Sequence, residues 1–230
     1  MMFSKAIRAI VLAARVLFRS RRALALMVVA YAGLLTSIYL FVSTREATIS
    51  QLVLTMAVAV VAPALFFLLQ AASVSYADGA SIRKLATDGL KFIVVSLPVI
   101  GLTVLALYGL NKVQSHQTVV TTLRYLLVAL VAPLLVIQLW IATSNHGLRS
   151  LLRSLRAIVI KTFSPQSVFV YAFGFVIFAV VPFILVELSV QTERAWLELS
   201  LLVLRLAVSA LLILIGWVMT VGAISILNRD

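Results

Sequence analysis

Six uninterrupted apolar stretches, each close to the roughly 20 residues a helix needs to cross a bilayer, take up most of this chain. They run over about 23–43, 51–72, 91–111, 124–142, 166–189 and 198–227. A helix satisfies its backbone hydrogen bonds internally, which hydrocarbon demands. The expected class is therefore all-α: a polytopic membrane protein with six transmembrane helices. Charged residues make up only 11% of the chain and mean hydropathy is +1.18, values foreign to water-soluble domains. The connecting segments are too short to build cores of their own, so residues 1–230 read as a single integral membrane domain. Basic residues followed by an apolar run also begin a signal peptide. Here the run from Arg22 to Val42 has full spanning length and no small-x-small site follows, so it reads as an uncleaved first helix.

The formal charge is +12, and its distribution carries the topology. Lys5, Arg8, Arg15, Arg19, Arg21 and Arg22 precede the first span; Arg83, Lys84 and Lys91 follow the second; Arg149, Arg153, Arg156 and Lys161 follow the fourth; Arg229 closes the chain. With alternating spans these fourteen residues share one side and five face the other. By the positive-inside rule both termini are expected to be cytoplasmic. Glu46, Glu187, Glu193 and Glu198 fall on the opposite side. The basic excess thus reads as an orientation signal with anionic-lipid contacts on the cytoplasmic side, and not as a nucleic-acid footprint.

Sliding the chain against itself by seventy residues reveals a repeat. Val61-Ala62-Pro63-Ala64-Leu65 falls on Val131-Ala132-Pro133-Leu134-Leu135, Ile82-Arg83-Lys84-Leu85 meets Leu152-Arg153-Ser154-Leu155, and Lys91 meets Lys161. A fainter third copy places Leu123-Arg124 against Leu204-Arg205. The expected organisation is three tandem units, 4–73, 79–144 and 147–225, each an amphipathic interfacial helix followed by a two-span hairpin. Chance in so Leu-, Val- and Ala-rich a chain is the competing explanation. The interfacial helices are legible in the pattern. On a helical wheel Lys5, Arg8, Arg15, Arg19 and Arg22 share an arc of about 100°, opposite Phe3, Ile7, Ile10, Ala14 and Leu17. Arg149, Arg153 and Arg156 stand opposite Leu148, Leu151, Leu152, Leu155 and Ile158 in the same way. Such helices lie in the headgroup region and anchor to anionic lipid, or dock a cytoplasmic partner. In the second loop Asp88 is placed to pair with Lys84 and Lys91.

Pro63 and Pro133 predict matched kinks in the second and fourth spans; Pro98 and Pro182 also fall inside spans, and Pro165 at the start of the fifth. Gly101, Gly109, Gly174, Gly216 and Gly222 permit close helix contacts. Gln70, Asn111, Gln138 and Trp140 are read near span ends, and Tyr31, Tyr39, Tyr108, Tyr171, Trp196 and Trp217 mostly as interfacial anchors. Arg205 is the basic residue set deepest in a span, about 12 Å from its start at 1.5 Å per residue. Two readings of it stand. One is a lipid-headgroup or anion site built with Arg124; the other is a structural clasp between the last two helices through Glu187 and Glu198.

There are no cysteines, hence no disulfide or thiolate metal site, and no metal site or cofactor is expected. No zinc-protease or nucleotide-binding motif occurs, and His116 and His146 fall on opposite sides. The chain is expected not to be an enzyme. The alternation of spans, with Leu148-Arg149-Ser150-Leu151-Leu152-Arg153-Ser154-Leu155-Arg156 leading into Ser164-Pro165, resembles bacterial membrane domains of the kind fused to glycerophosphodiester phosphodiesterases. That resemblance implies a bacterial inner (plasma) membrane location and carries over no catalytic residue. Arg19-Ser20-Arg21-Arg22-Ala23-Leu24 after a basic surface helix is similar to the start of ABC-type export permeases. The longest loop here lies between spans 4 and 5, and there is no room for the external hairpin of such permeases. The expected function is a non-catalytic, lipid-associated subunit or scaffold of a larger membrane complex, bound to other membrane subunits. The alternative is the permease subunit of an ABC-type or other small-molecule or lipid transporter.

Overall fold

The computed structural model describes residues 2–44, 48–76, 79, 81–112, 117–188 and 194–228. Among these, every regular element is helical: α1 (Met2–Arg19), α2 (Arg21–Ser43), α3 (Ile49–Ser75), α4 (Ile82–Lys112), α5 (Gln117–Leu126), α6 (Ala132–His146), α7 (Leu148–Thr162), α8 (Pro165–Phe175), α9 (Val181–Glu187) and α10 (Ala195–Leu227). α5 and α6 form one continuous rod, joined by a π-helical turn at Leu127–Val131, and a second π turn at Val176–Val180 joins α8 to α9. Six rods are long and apolar enough to cross a membrane.

Local chemistry sets the boundaries. Thr48 caps α3 reciprocally with Gln51, Ser164 accepts the amide of Ser167 ahead of Pro165, and Gly147, at φ 77°, turns α6 into α7. Two expected boundaries shift. The segment after the second span is not a separate interfacial helix, because Ile82 to Lys91 runs without a breaker into α4. Gly89 inside it is held by close approach to the Phe67 carbonyl. Arg22 belongs to α2, since the backbone at Ser20 leaves the helical region and resets the wheel.

The rods are packed unequally along their length. At the basal end, where α1 lies, buried residues recur at helical spacing: Leu85, Asp88, Phe92, Val95 and Val99 on α4, and Leu214, Val218, Val221 and Ser225 on α10. On α3 an unbroken run from Leu69 to Tyr76 is buried. Past Val99 no residue of α4 is buried. In the distal half each rod keeps one shielded stripe, such as Gln51, Thr55, Val58, Ala62 and Leu65 on α3, and it faces the hairpin mate. Three hairpins, α2/α3, α4/α5–α6 and α8–α9/α10, therefore join at the base and separate toward their tips.

Helix α1 has three faces. Ala6, Ala9, Ala13 and Leu17 are buried against α10 and α8, Lys5, Arg8, Arg15 and Arg19 are exposed, and Phe3, Ile7 and Phe18 form an exposed apolar edge. The small alanine face, absent from the two-faced expectation, lets the helix lie close to the bundle. Tyr76 fastens it by donating to the Ala13 carbonyl at 3.0 Å across Gly222, where any Cβ would overlap the Tyr76 ring. Gly174 plays the same part against Thr220 and Gly216 against Phe178, whereas Gly101 and Gly109 face open space.

Candidate functional site

Where the hairpins diverge they leave a chamber of about 470 Å³, lined from every spanning rod. Its wall is aliphatic and aromatic, with Leu34, Phe67, Val99, Val136, Phe178 and Leu214 among the lining residues. No residue in the lining is charged. The polar groups at its wall are few. Trp217 donates its indole N–H to Gln70 Oε1 at 2.7 Å, and Trp140 donates to Ser96 Oγ at 2.9 Å. Ser96 in turn donates to the Phe92 carbonyl at 2.6 Å, and Thr103 to the Val99 carbonyl at 2.7 Å. Trp140 is further fixed by stacking on Phe92, with ring centroids 5.6 Å apart and planes at 14°.

Both π turns lead directly into a proline, Pro133 and Pro182, and Pro133 lines the chamber. A proline lacks the N–H that the carbonyl four residues earlier needs, and for Pro133 that carbonyl is Ala129. Tyr171 supplies the missing donor, its hydroxyl 2.9 Å from the Ala129 oxygen. By contrast α3 stays α-helical through Pro63, and α4 through Pro98. The matched pair in this structure is Pro133 with Pro182, each behind a widened turn, and not Pro133 with Pro63. Tyr171 and Trp217 are accordingly interior linkers and not interfacial anchors, and Tyr31 lines the chamber, while Tyr39, Tyr108 and Trp196 are exposed.

Arg205 and Arg124 are each engaged within their own hairpin. Arg205 donates to the Leu188 carbonyl at the end of α9, and Arg124 to the Leu110 carbonyl in the last turn of α4, at 3.3 Å. Final-turn carbonyls lack helical partners and form the negative end of the helix dipole, so a guanidinium is well matched to them. The clasp between the last two rods runs to backbone. Glu187 and Glu198 are exposed, and the ion pair found among the described residues is Lys91–Asp88 at 3.0 Å.

At the base, Asp88 is 2% exposed and also accepts from Ser144 at 3.3 Å. Separately, Asn228 donates to Gln138 at 2.7 Å, and Gln138 to Ser167 at 3.4 Å. Gln138 and Gln70 are thus buried cross-helix linkers. On the basal surface Lys5, Arg8, Arg15, Arg19, Arg22 and Arg156 are exposed, with Arg83 and Lys84 near Asp88. The side chains of Arg149 and Arg153, and residues Glu46, His116, Glu193 and Arg229, lie outside the described residues. Among the described residues no group of three or more His, Asp or Glu side chains is placed to hold a metal.

No protein-family model, curated protein or solved structure matches the chain.

The pairing of Asp88 with Lys91 was legible because both lie on one helix three residues apart. Gln70 and Tyr171 stood out as polar groups in apolar runs, but their partners, Trp217 and the Ala129 carbonyl, lie on other rods and left no signal.

Proposed function

We propose that this chain is a non-catalytic, lipid-associated scaffold subunit of the bacterial inner membrane, with both termini cytoplasmic and the basal end facing inward. The observation that carries this reading is the unequal packing. A hydrogen-bonded base holds three hairpins whose distal flanks remain apolar and uncovered, a surface suited to lipid or to the helices of partner subunits. The exposed basic residues of α1 and α7 lie at the base, where they would meet anionic headgroups and fix orientation. The three-unit organisation is supported by the equivalent clasps of Arg124 and Arg205, which fall on matching positions of the second and third units. The resemblance to membrane domains of the glycerophosphodiester-phosphodiesterase type fits the same reading.

Native mass spectrometry of the protein extracted gently from its own membrane tests it. Co-purification with other chains in fixed ratio is the expected result. A lone chain that transports a solute when reconstituted by itself would overturn it.

A permease subunit is the second reading, favoured by the chamber and by the π turns behind Pro133 and Pro182, which offer bending points in two rods. It requires an ATPase at the cytoplasmic face. Crosslinking from residues 79–91 and 147–161 that captures no nucleotide-binding protein would remove it.

A further inference from the structure

We propose that the chamber is a binding site for one uncharged membrane molecule, an apolar chain or ring bearing a carbonyl, held by the carboxamide of Gln70. This goes beyond a scaffolding role and does not depend on partner subunits.

The volume, about 470 Å³, falls in the range of small-ligand sites. Wall chemistry selects the ligand. With no charged residue in the lining, a phosphate or ammonium headgroup would lose its hydration without gaining a partner, so the bound portion must be neutral. Six aromatic side chains, Tyr31, Phe66, Phe67, Trp140, Phe178 and Trp217, contact methylenes and flat rings equally well.

The polar anchor follows from Gln70, which is 2% exposed. Its Oε1 is occupied by the Trp217 indole, and an indole N–H only donates, so the orientation of the carboxamide is fixed. The two N–H donors of its Nε2 have no protein partner among the described residues, and the residue lines the chamber. These N–H groups open onto the chamber and are free to donate to a ligand acceptor, which the apolar wall around them does not supply. The matching group is a neutral carbonyl oxygen, which accepts without carrying charge. Access is lateral. Ile100, Val104 and Val128 line the chamber and are at least half exposed on the diverging distal side, so the ligand enters from the bilayer and not from water. Two abundant membrane chemistries supply such a group, the ester carbonyl of a glycerolipid and the ring carbonyl of an isoprenoid quinone.

The indoles report occupancy. Of three tryptophans only Trp196 stands away from the chamber, so Trp196→Phe leaves Trp140 and Trp217, both in the wall. That full-length variant, in nanodiscs of unbrominated lipid, is titrated with three quenchers: a diacylglycerol with brominated chains, decyl-benzoquinone, and a brominated alkane without a carbonyl. Saturable quenching is expected for at least one carbonyl compound, at lower mole fraction than for the alkane. Gln70→Leu should weaken that compound about three- to tenfold while leaving the alkane unchanged. Val104→Phe, which fills the mouth from an exposed position, should weaken all ligands. Preference for the diacylglycerol identifies the glycerolipid source, and preference for decyl-benzoquinone the quinone source. Linear quenching by all three, or equal response of the carbonyl compounds and the alkane, would overturn the proposal. Carbonyl affinity unchanged in Gln70→Leu would overturn it as well, whatever Val104→Phe does.

Discussion

Replacing Tyr171 with phenylalanine removes one oxygen atom and little else. The ring keeps its contacts with Phe175 and Phe178, whose centroids lie 6.3 and 6.0 Å away. What is lost is the 2.9 Å bond to the Ala129 carbonyl, which Pro133 has already deprived of its helical donor. An orphaned polar group in a folded core costs about 1–3 kcal/mol, and interhelical hydrogen bonds in membranes average about 0.6 with a maximum near 1.7. The expected loss for Tyr171→Phe is therefore about 1–1.5 kcal/mol, at the upper end of the membrane range because Pro133 withholds the α-helical donor from that carbonyl. The decisive comparison is a double-mutant cycle with Pro133→Ala, which restores an amide N–H to the helix. In that background Tyr171→Phe should lose well under half as much stability. Equilibrium unfolding in a detergent–SDS titration, followed by far-UV circular dichroism, measures both. If the hydroxyl is worth the same with and without the proline, within about 0.3 kcal/mol, the account of the widened turn is wrong.

Gly222→Leu should lower the thermal midpoint and expose α1 to protease, since its side chain occupies the space of the Tyr76 ring that ties α1 to the bundle. Limited proteolysis reads the second effect directly, and an α1 as resistant as in the wild type would refute it. Asp88→Leu should destabilise by about 1–3 kcal/mol, because Lys91 and Ser144 both lose their acceptor; Lys91 is about one-third exposed and rehydrates, which keeps the loss below that of a fully buried pair. Chemical unfolding of the single variant measures it. Arg124→Leu and Arg205→Leu should each lose about 0.5–1.5 kcal/mol and add without coupling, since each clasps a different hairpin. A coupling above about 0.5 kcal/mol in the double variant would indicate that the two arginines share a site.

The spanning rods were legible because hydrocarbon imposes length and composition together, and each expected stretch lies wholly or almost wholly within a helix. Their ends were less so. Hydropathy marks where lipid begins, whereas a helix stops where its caps and contacts allow. So α4 starts nine residues before the apolar run beginning at 91, on Ile82. The inward faces were hidden for a deeper reason. In water, burial separates apolar from polar residues; in a membrane protein the buried Leu214 and the exposed Leu211 are chemically alike. Periodicity therefore says nothing of which side faces in, and Tyr171 and Trp217 passed for interfacial anchors. The three-faced character of α1 escaped similarly, because alanine is compatible with every environment. Arg205 was readable as a clasp because a guanidinium at that depth must find an acceptor. Its target was not, because backbone carbonyls leave no mark in a sequence.

Three hairpins joined at one end have the mechanics of a tripod. A distal half of about ten residues is a lever about 15 Å long at 1.5 Å per residue, so a tilt of about 4° at the base displaces a tip by about 1 Å. Uniform bundles meet a thinner or more crowded bilayer by tilting as one body. Here the same stress would change the angle between legs, and with it the gap between Val104 and Val128 on the α4/α5–α6 leg and Tyr31 and Phe66 on the α2/α3 leg. On this geometry, the thickness and lateral pressure of the surrounding bilayer would act on the chamber from outside, without any ligand and without any charge crossing the membrane.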